Sequence, residues 1–371
     1  MCTSLGYKDA SGKAYFGRTL ELTVDLPYQV AYFPAGFQTT SEVDGKAALA
    51  YSARFGVLAI TMPDRVPTPE APMGLADLKV LEGLNDQGLT FSLLSYPSSA
   101  GAQKPAEVTQ SVLSASDLGS WALGQFATVA EVKAALEKQP IELQPLALLG
   151  GVVSPFHYVV HDATGASLVI EFDQGVMTVY DNPVGVMTNG PKFSWHLTNL
   201  DNYTFLTNVD QSSATFGSYQ ARQPDSGIAT AGLPASNTSV GRFVRAVYYA
   251  QFTEKAASPD LAVKTLAHVM NSFDRPRGAS IDYPQQGGGH MEVAGLEEKA
   301  DAPYATEFTC WTSLSDLDRK IFFVRDYRSL NFMSFDLKAL ADLKTPVVLP
   351  LQKLQSGASD VTGMLTAPKA A

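Results

Sequence analysis

Apolar positions along the chain recur with two different periods, and the changes of period mark out its elements. Residues 1–22 read as two strands joined by Asp9-Ala10-Ser11-Gly12, a run of turn-forming residues. Folding the chain back around that four-residue loop puts Cys2 opposite Arg18 or Thr19. An aromatic and β-branched run at residues 28–33, closed by Pro34-Ala35-Gly36, predicts a core strand, and residues 55–62 predict another. The four prolines of residues 63–73 predict an irregular loop, and Asn85-Asp86-Gln87-Gly88 predicts a turn between two strands within residues 80–94.

Helical spacing follows. One helix is predicted from about Pro105 to Trp121, and a second behind the capping-box pattern Thr128-Val129-Ala130-Glu131, with Val132, Ala135 and Leu136 on one face. Period two returns at residues 156–161, 167–172 and 176–180, an antiparallel meander with turns at Asp162-Ala163-Thr164-Gly165 and Asp173-Gln174-Gly175. Residues 203–231 are polar and without periodicity, a length that favours a functional or assembly role over a plain connection. A second helical pair covers residues 240–255 and 259–273, the latter started by Ser258 as cap and Pro259 in the first turn. Closing strands are predicted at 304–312, 320–326 and 330–335. The order is strands, two helices, strands, two helices, strands. It predicts an α+β fold of four layers, two mostly antiparallel sheets between helical layers. The expected boundaries are one domain over residues 2–350 and a peripheral tail at 351–371.

Composition narrows the class. The chain has 371 residues, 45% hydrophobic and 17% charged, which are globular proportions with length enough for a large core. A net charge of −10 and the lack of any Lys/Arg-rich run argue against nucleic acid as a partner. No apolar run reaches the roughly 18 residues of a membrane span, and the first residues lack the pattern of a secretory leader. The chain as written is therefore expected in the cytoplasm, with the periplasm as its place if a leader precedes Met1 in the natural protein. Pro284-Gln285-Gln286-Gly287-Gly288-Gly289-His290 reads as a flexible loop with no phosphate-binding pattern, so no nucleotide cofactor is expected. His157 and His161 share one face of a strand with no glutamate between them, so no metal is expected either.

The two cysteines change the picture more than the rest of the composition. Cys310 lies in a strand-like segment and reads as a small buried hydrophobe. Cys2 follows the initiator methionine, and its small side chain permits Met1 to be trimmed. The free cysteine would carry an α-amine with a reference pKa of about 7.7–8.0 and a thiol of about 8.5 on one Cα. Nucleophile and general base then belong to a single residue, with no histidine needed. Arg18 beside the thiol would favour the thiolate.

Several segments in order carry a resemblance. The opening Met1-Cys2-Thr3 with Phe16-Gly17-Arg18-Thr19-Leu20-Glu21 comes first, then Gly83-Leu84-Asn85-Asp86-Gln87-Gly88-Leu89. Val186-Met187-Thr188-Asn189-Gly190-Pro191 follows, with Phe193-Ser194-Trp195-His196 and Asn199-Leu200. Gly232-Leu233-Pro234 and Ser239-Val240-Gly241-Arg242-Phe243-Val244-Arg245 complete the set. Together they resemble the choloylglycine hydrolases, cysteine N-terminal-nucleophile (Ntn) hydrolases that include conjugated bile acid hydrolases and penicillin V acylases. The resemblance implies the αββα Ntn fold and hydrolysis of linear amides through a thioester on Cys2. It implies that Arg18 stabilises the thiolate, Asn189 donates to the oxyanion and Arg242 orients the site. Glu21 stands where the family pattern has an aspartate that contacts the nucleophile's amino group, and Ser95 stands where the bile acid hydrolases have an asparagine near the oxyanion. Leu20, Leu22, Met62, Met73 and Phe91 are candidate lining for an apolar acyl group. Substrates of the bile salt, penicillin V or N-acyl homoserine lactone type fit. The resemblance also implies that the segment at 203–231 packs between subunits, hence a homo-oligomer, dimer or tetramer. Glu21 and Ser95 also leave open a non-catalytic relative that binds or assembles, and a transferase using the same thioester.

Overall fold

A computed structural model describes residues 1–104, 106–107, 110–283, 304–354 and 357–358. In chain order, the strands of its two large sheets are β1 Cys2–Lys8, β2 Ala14–Leu22, β3 Gln29–Phe33, β4 Val57–Pro63, β5 Leu78–Asn85, β6 Thr90–Ser95 and β7 Phe156–His161. They continue with β8 Ser167–Asp173, β9 Val176–Asp181, β10 Val186–Met187, β11 Phe308–Asp316, β12 Ile321–Asp326, β13 Met333–Asp336 and β14 Val347–Pro350. One sheet has six strands in the order β10-β1-β2-β11-β12-β13, and the other has eight in the order β9-β8-β7-β6-β5-β4-β3-β14. All neighbouring strands within these two sheets run antiparallel.

Five helices matter for the layers: α1 Leu118–Gln125, α2 Val129–Leu136, α3 Phe193–Asn199, α4 Ser239–Phe252 and α5 Pro259–Asn271. Helices α4 and α5 cover the six-stranded sheet at β1, β2 and β11, while α1 and α2 cover the eight-stranded sheet at β5, β6 and β8. Strand β1 touches β6 across the middle of the sandwich. That is the four-layer αββα arrangement the element order predicts. In α5 the buried residues Ala262, Leu266, Val269 and Met270 repeat at helical spacing and settle on β2 at Gly17. A Cβ on Gly17 would lie 2.8 Å from Met270 Cγ, so the absence of a side chain there sets how closely the helix approaches. Half of the capping-box reading of α2 holds: Thr128 accepts from the Glu131 N–H, but Glu131 Oε2 accepts from the N–H of Ala127, one residue before the cap, at 2.7 Å.

Four expectations are corrected. The first turn is a five-residue loop, because Asp9 gathers the Ser11 and Lys13 N–H groups on its carboxylate and donates its own N–H to Lys13 O. The register therefore pairs Cys2 with Leu20, and Arg18 becomes the diagonal neighbour on the same face. The helix expected before Trp121 starts only at Leu118; Ser111–Ser114 is a strand, paired in parallel with Ala47–Ser52 and Ile141–Glu142, and this long-range pairing overrides local helix preference. The segment at 203–231 is not structureless: Ser213–Phe216 and Tyr219–Arg222 form a hairpin turned at Gly217, φ 62°. Finally, residues 193–199 form a helix that the periodicity did not announce. The 284–290 loop lies outside the described residues, as does Pro105. Leu351, the first residue beyond the expected domain boundary, is buried in the core. No described helix is long and apolar enough to cross a membrane.

Candidate active site

Strand β1 opens the six-stranded sheet against the eight-stranded one, so Cys2 enters the sandwich with its side chain only 4% exposed. Its thiol meets the guanidinium of Arg18, with Nη2 3.4 Å from Sγ. Arg18 is fully buried and is held from the opposite sheet, where Nη1 donates to Leu81 O at 2.8 Å and Nη2 donates to Leu93 O; within its own sheet the guanidinium lies 4.7 Å over the Trp311 ring. A permanent cation fixed by carbonyls in a buried site thus faces the sulfur.

The backbone of Cys2 is gripped as firmly as its side chain. Its N–H donates to Asn189 Oδ1 at 2.9 Å, and its carbonyl accepts from Arg242 Nη1. Arg242 Nη1 also donates to Thr3 Oγ1 at 2.7 Å, and Nη2 to Asn189 Oδ1 at 2.7 Å, so one buried arginine ties nucleophile and amide together. Burial pushes the Arg242 guanidinium down to about 10, against the field of Glu21, which raises it, so it remains cationic at neutral pH. Asn189 follows the short strand β10 and is pinned on three sides. Its Nδ2 donates to Ser95 O at 2.8 Å, its N–H donates to Ser239 Oγ at 2.9 Å, and its carbonyl lies 2.8 Å from His196 Nε2. Burial pushes His196 down to about 4, so the ring is neutral and donates from Nε2.

A small apolar hollow of about 40 Å³ opens on the thiol. Of the candidates, Leu20, Leu22, Met62 and Ser95 line it, with Leu26, Tyr28, Leu149 and Phe156. Met1 also lines it. Two expected residues do not. Phe91 stacks on Tyr158 with centroids 5.6 Å apart and packs beneath Gly119 of α1, and Met73 packs against the small cluster of Ala31, Phe33 and Leu78. A larger hollow of about 850 Å³, walled by Phe33, Phe37 and Leu146 with Asp64, Lys79 and Asp117, lies away from the cysteine.

The profile of the linear amide C–N hydrolases, choloylglycine hydrolase family, matches residues 2–287. The chain belongs to this family. The bile salt hydrolase/transferase of Clostridium perfringens is 24% identical over 338 residues, covering 91% of this chain and 92% of that one. The penicillin V acylase of Pectobacterium atrosepticum is 24% identical over 293 residues, 76% of this chain and 70% of that one. Among solved structures, a mutant conjugated bile acid hydrolase from Clostridium perfringens superposes with a TM-score of 0.78 at 20% identity, over 98% of this chain and 100% of that one. A penicillin V acylase from Agrobacterium tumefaciens superposes with a TM-score of 0.69 at 21% identity, over 94% and 92%. These are Ntn-hydrolase folds, and the αββα architecture is shared.

Within this family member the structure brings Cys2, Arg18, Asn189, Arg242 and Ser95 together, and Glu21 beside them. Glu21 is fully buried, but its Oε1 accepts from Thr309 Oγ1 at 3.2 Å and its Oε2 has no hydrogen-bond partner among the described residues. A register shift between Leu20 and Glu21 skips Cys310 on β11 and so sets the direction of this side chain. Sequence reasoning missed Glu82, which is fully buried 3.4 Å from Arg18 Nη1, and Ser239, which braces Asn189. The signal for Glu82 was available: a lone carboxylate between Leu81 and Gly83-Leu84 in an apolar strand. His157 is a structural residue, bridging Glu171 Oε2 at 3.1 Å and Thr188 O at 3.0 Å. Among the described residues, no group of three or more His, Cys, Asp or Glu side chains could hold a metal.

Proposed function

We propose that this family member, once Met1 is removed, hydrolyses linear amides bearing an apolar acyl group. With Met1 attached the Cys2 nitrogen is a peptide N–H and has no basicity, so the trimmed chain is the active form. The freed α-amine takes the thiol proton, and Sγ attacks the substrate carbonyl. The tetrahedral oxyanion is met by Asn189, whose second Nδ2 hydrogen is the donor left after the bond to Ser95 O. The C–N bond breaks as the α-ammonium returns its proton to the leaving amine, giving a thioester. Water, deprotonated by the same amine, then releases the acid and restores the thiol. Arg18 stabilises the sulfur, Arg242 holds Cys2 and Asn189 in register, and Glu21 supplies the buried negative charge facing that cation.

The observation that carries this reading is the double hold on Cys2: a guanidinium 3.4 Å from its sulfur and an amide oxygen 2.9 Å from its nitrogen, beside an apolar hollow. Leu20, Met62, Leu26 and Phe156 favour acyl groups of the bile salt, phenoxyacetyl or fatty acyl kind. Loss of Met1 would widen this hollow, since Met1 is part of its wall. The test is amine release from glycine- and taurine-conjugated bile salts, phenoxymethyl penicillin and N-acyl homoserine lactones, with wild type beside Cys2→Ala. Turnover by wild type alone supports the reading and names the substrate. Silence from a wild type proven to lack Met1 would leave the non-catalytic relative standing. The name of the Clostridium perfringens relative includes a transferase activity. Added free amine in the same assay, followed by mass spectrometry of new amides, distinguishes transfer from hydrolysis.

Homo-oligomerisation is the matching proposal for the 203–231 segment, where Phe205, Val209, Phe216 and Tyr219 are each more than 60% exposed. Light scattering of wild type and of Phe216→Ser/Tyr219→Ser tests it, with a smaller particle expected from the double variant.

A further inference from the structure

A second buried carboxylate competes for the same cation as the thiol. Glu82 sits on β5, directly opposite Ser92 of β6, and the register places the Ser92 hydroxyl on Glu82 Oε2. The same Oε2 is 3.4 Å from Arg18 Nη1. Arg18 thus faces Glu82 with one amino group and Cys2 Sγ with the other, 3.4 Å away. Both side chains of this ion pair are 0% exposed, and Glu82 Oε1 has no hydrogen-bond partner among the described residues.

The geometry points to Glu82 as a positioning residue that acts through Arg18, fixing the guanidinium against Cys2 and sharing its charge with the thiolate. This rests on Cys2 being the nucleophile. Two anions flank one cation in a fully buried pocket, so each weakens the cation's hold on the other. When Glu82 carries a proton, the Arg18 charge falls wholly on the sulfur; when Glu82 is ionised, the pair is neutral and the sulfur gains less. Burial raises Glu82 to about 7, against Arg18 and Ser92, which lower it, so the exchange takes place in the working pH range. The other charged groups near the thiol are Glu21 and Arg242, with the buried Tyr28 phenol, raised well above its usual value, on the same side. Glu82 itself faces Arg18 and Ser92 as its polar neighbours. A purely structural ion pair would hold Arg18 in place and nothing more.

The test is the pH profile of Cys2 alkylation by iodoacetamide in protein lacking Met1, mapped by peptide mass. Glu82→Gln keeps shape and hydrogen bonding but removes the charge. The profile should move to lower pH, and the rate at about pH 7.5–8, where Glu82 is ionised in the wild type, should rise about threefold to tenfold. Glu82→Asp, which keeps the charge, should return the profile towards wild type. Ser92→Ala should move it the same way as Glu82→Gln by a smaller factor, and it serves if Glu82→Gln does not fold. An unchanged profile in folded Glu82→Gln or Ser92→Ala overturns the inference, as does an equal shift in Glu82→Asp. If instead wild-type Cys2 resists alkylation while Cys2→Ala keeps its amidase activity, it is the nucleophile assignment that fails. The two failures give different readouts.

Discussion

Cys2 and Cys310 lie in one sheet with a single strand between them, and both are almost out of solvent, at 4% and 3% exposure. Their surroundings differ in charge. Cys2 has a guanidinium against its sulfur and hydrogen bonds at both ends of its backbone. Cys310 has the Val24 and Phe308 carbonyls 3.6 and 3.8 Å from its sulfur, with the Tyr28 hydroxyl and the Leu22 backbone also beside it. Burial pushes the Cys310 thiol up to about 12, helped by the carboxylates of Asp25 and Glu21. Burial alone therefore makes a thiol inert. What separates a nucleophile from a packing residue is a cation that the fold has already desolvated and fixed.

The widest separation is in turnover. Cys2→Ala should lower kcat by about 10⁴ or more, since the nucleophile is lost and the α-amine that remains has no thiol to deprotonate. Next comes Asn189→Ala, for which steady-state kinetics should show a loss of about 10²–10³ in kcat, the usual consequence of removing one oxyanion donor. A loss below tenfold would mean that Asn189 only holds Cys2 through Oδ1 and that the oxyanion donor lies elsewhere.

How much of this contrast was legible in the sequence follows from what is local. Cys2 beside the initiator methionine, and Arg18 one hairpin away, need only a turn and two strands to be read. The register was misjudged by one because the Asp9 carboxylate extends the loop by a residue, an effect of side-chain hydrogen bonding that turn composition does not report. Asn189 and Arg242 are far apart in the chain, and no periodicity joins them; the family resemblance alone singled them out. Glu82 escaped because its meaning depends on an arginine from the opposite sheet. The four-layer order was readable because apolar periods report which face is covered, whereas Ser111–Ser114 was misread because its pairing partners are distant strands.

A pH comparison sharpens the difference without any substrate. His161, against the Phe16 ring at 4.4 Å, is pushed down to about 3 by burial, and His196 to about 4. Each is neutral in the folded chain and takes a proton in the unfolded chain below its ordinary value of 6.5. Stability from both is full above pH 6.5 and is lost as pH falls towards 4. Glu82 works in the opposite sense, because its folded value is raised: the folded chain holds the extra proton, and stability falls as pH rises from 4.5 to about 7. Chemical denaturation across this range should show His161→Asn losing less stability in acid than wild type, and Glu82→Gln losing less on the way to neutrality.

The smallest effect is expected at Cys310. Cys310→Ala removes a sulfur from beneath the Val24 carbonyl and leaves every contact of Cys2 and Arg18 in place. The cost is a small core cavity, about 1 kcal/mol, and kcat should stay within about twofold of wild type. The thiol also gives a sign to check at high pH. Its folded value is raised from 9.0 to about 12, so the folded chain keeps a proton that the unfolded chain has lost. Wild type should therefore lose stability as pH climbs from 9 towards 12, and Cys310→Ala should lose less over the same range. Parallel curves for the two proteins would mean that Cys310 titrates as freely folded as unfolded. The contrast with Cys2 would then rest on access to the thiol, not on charge.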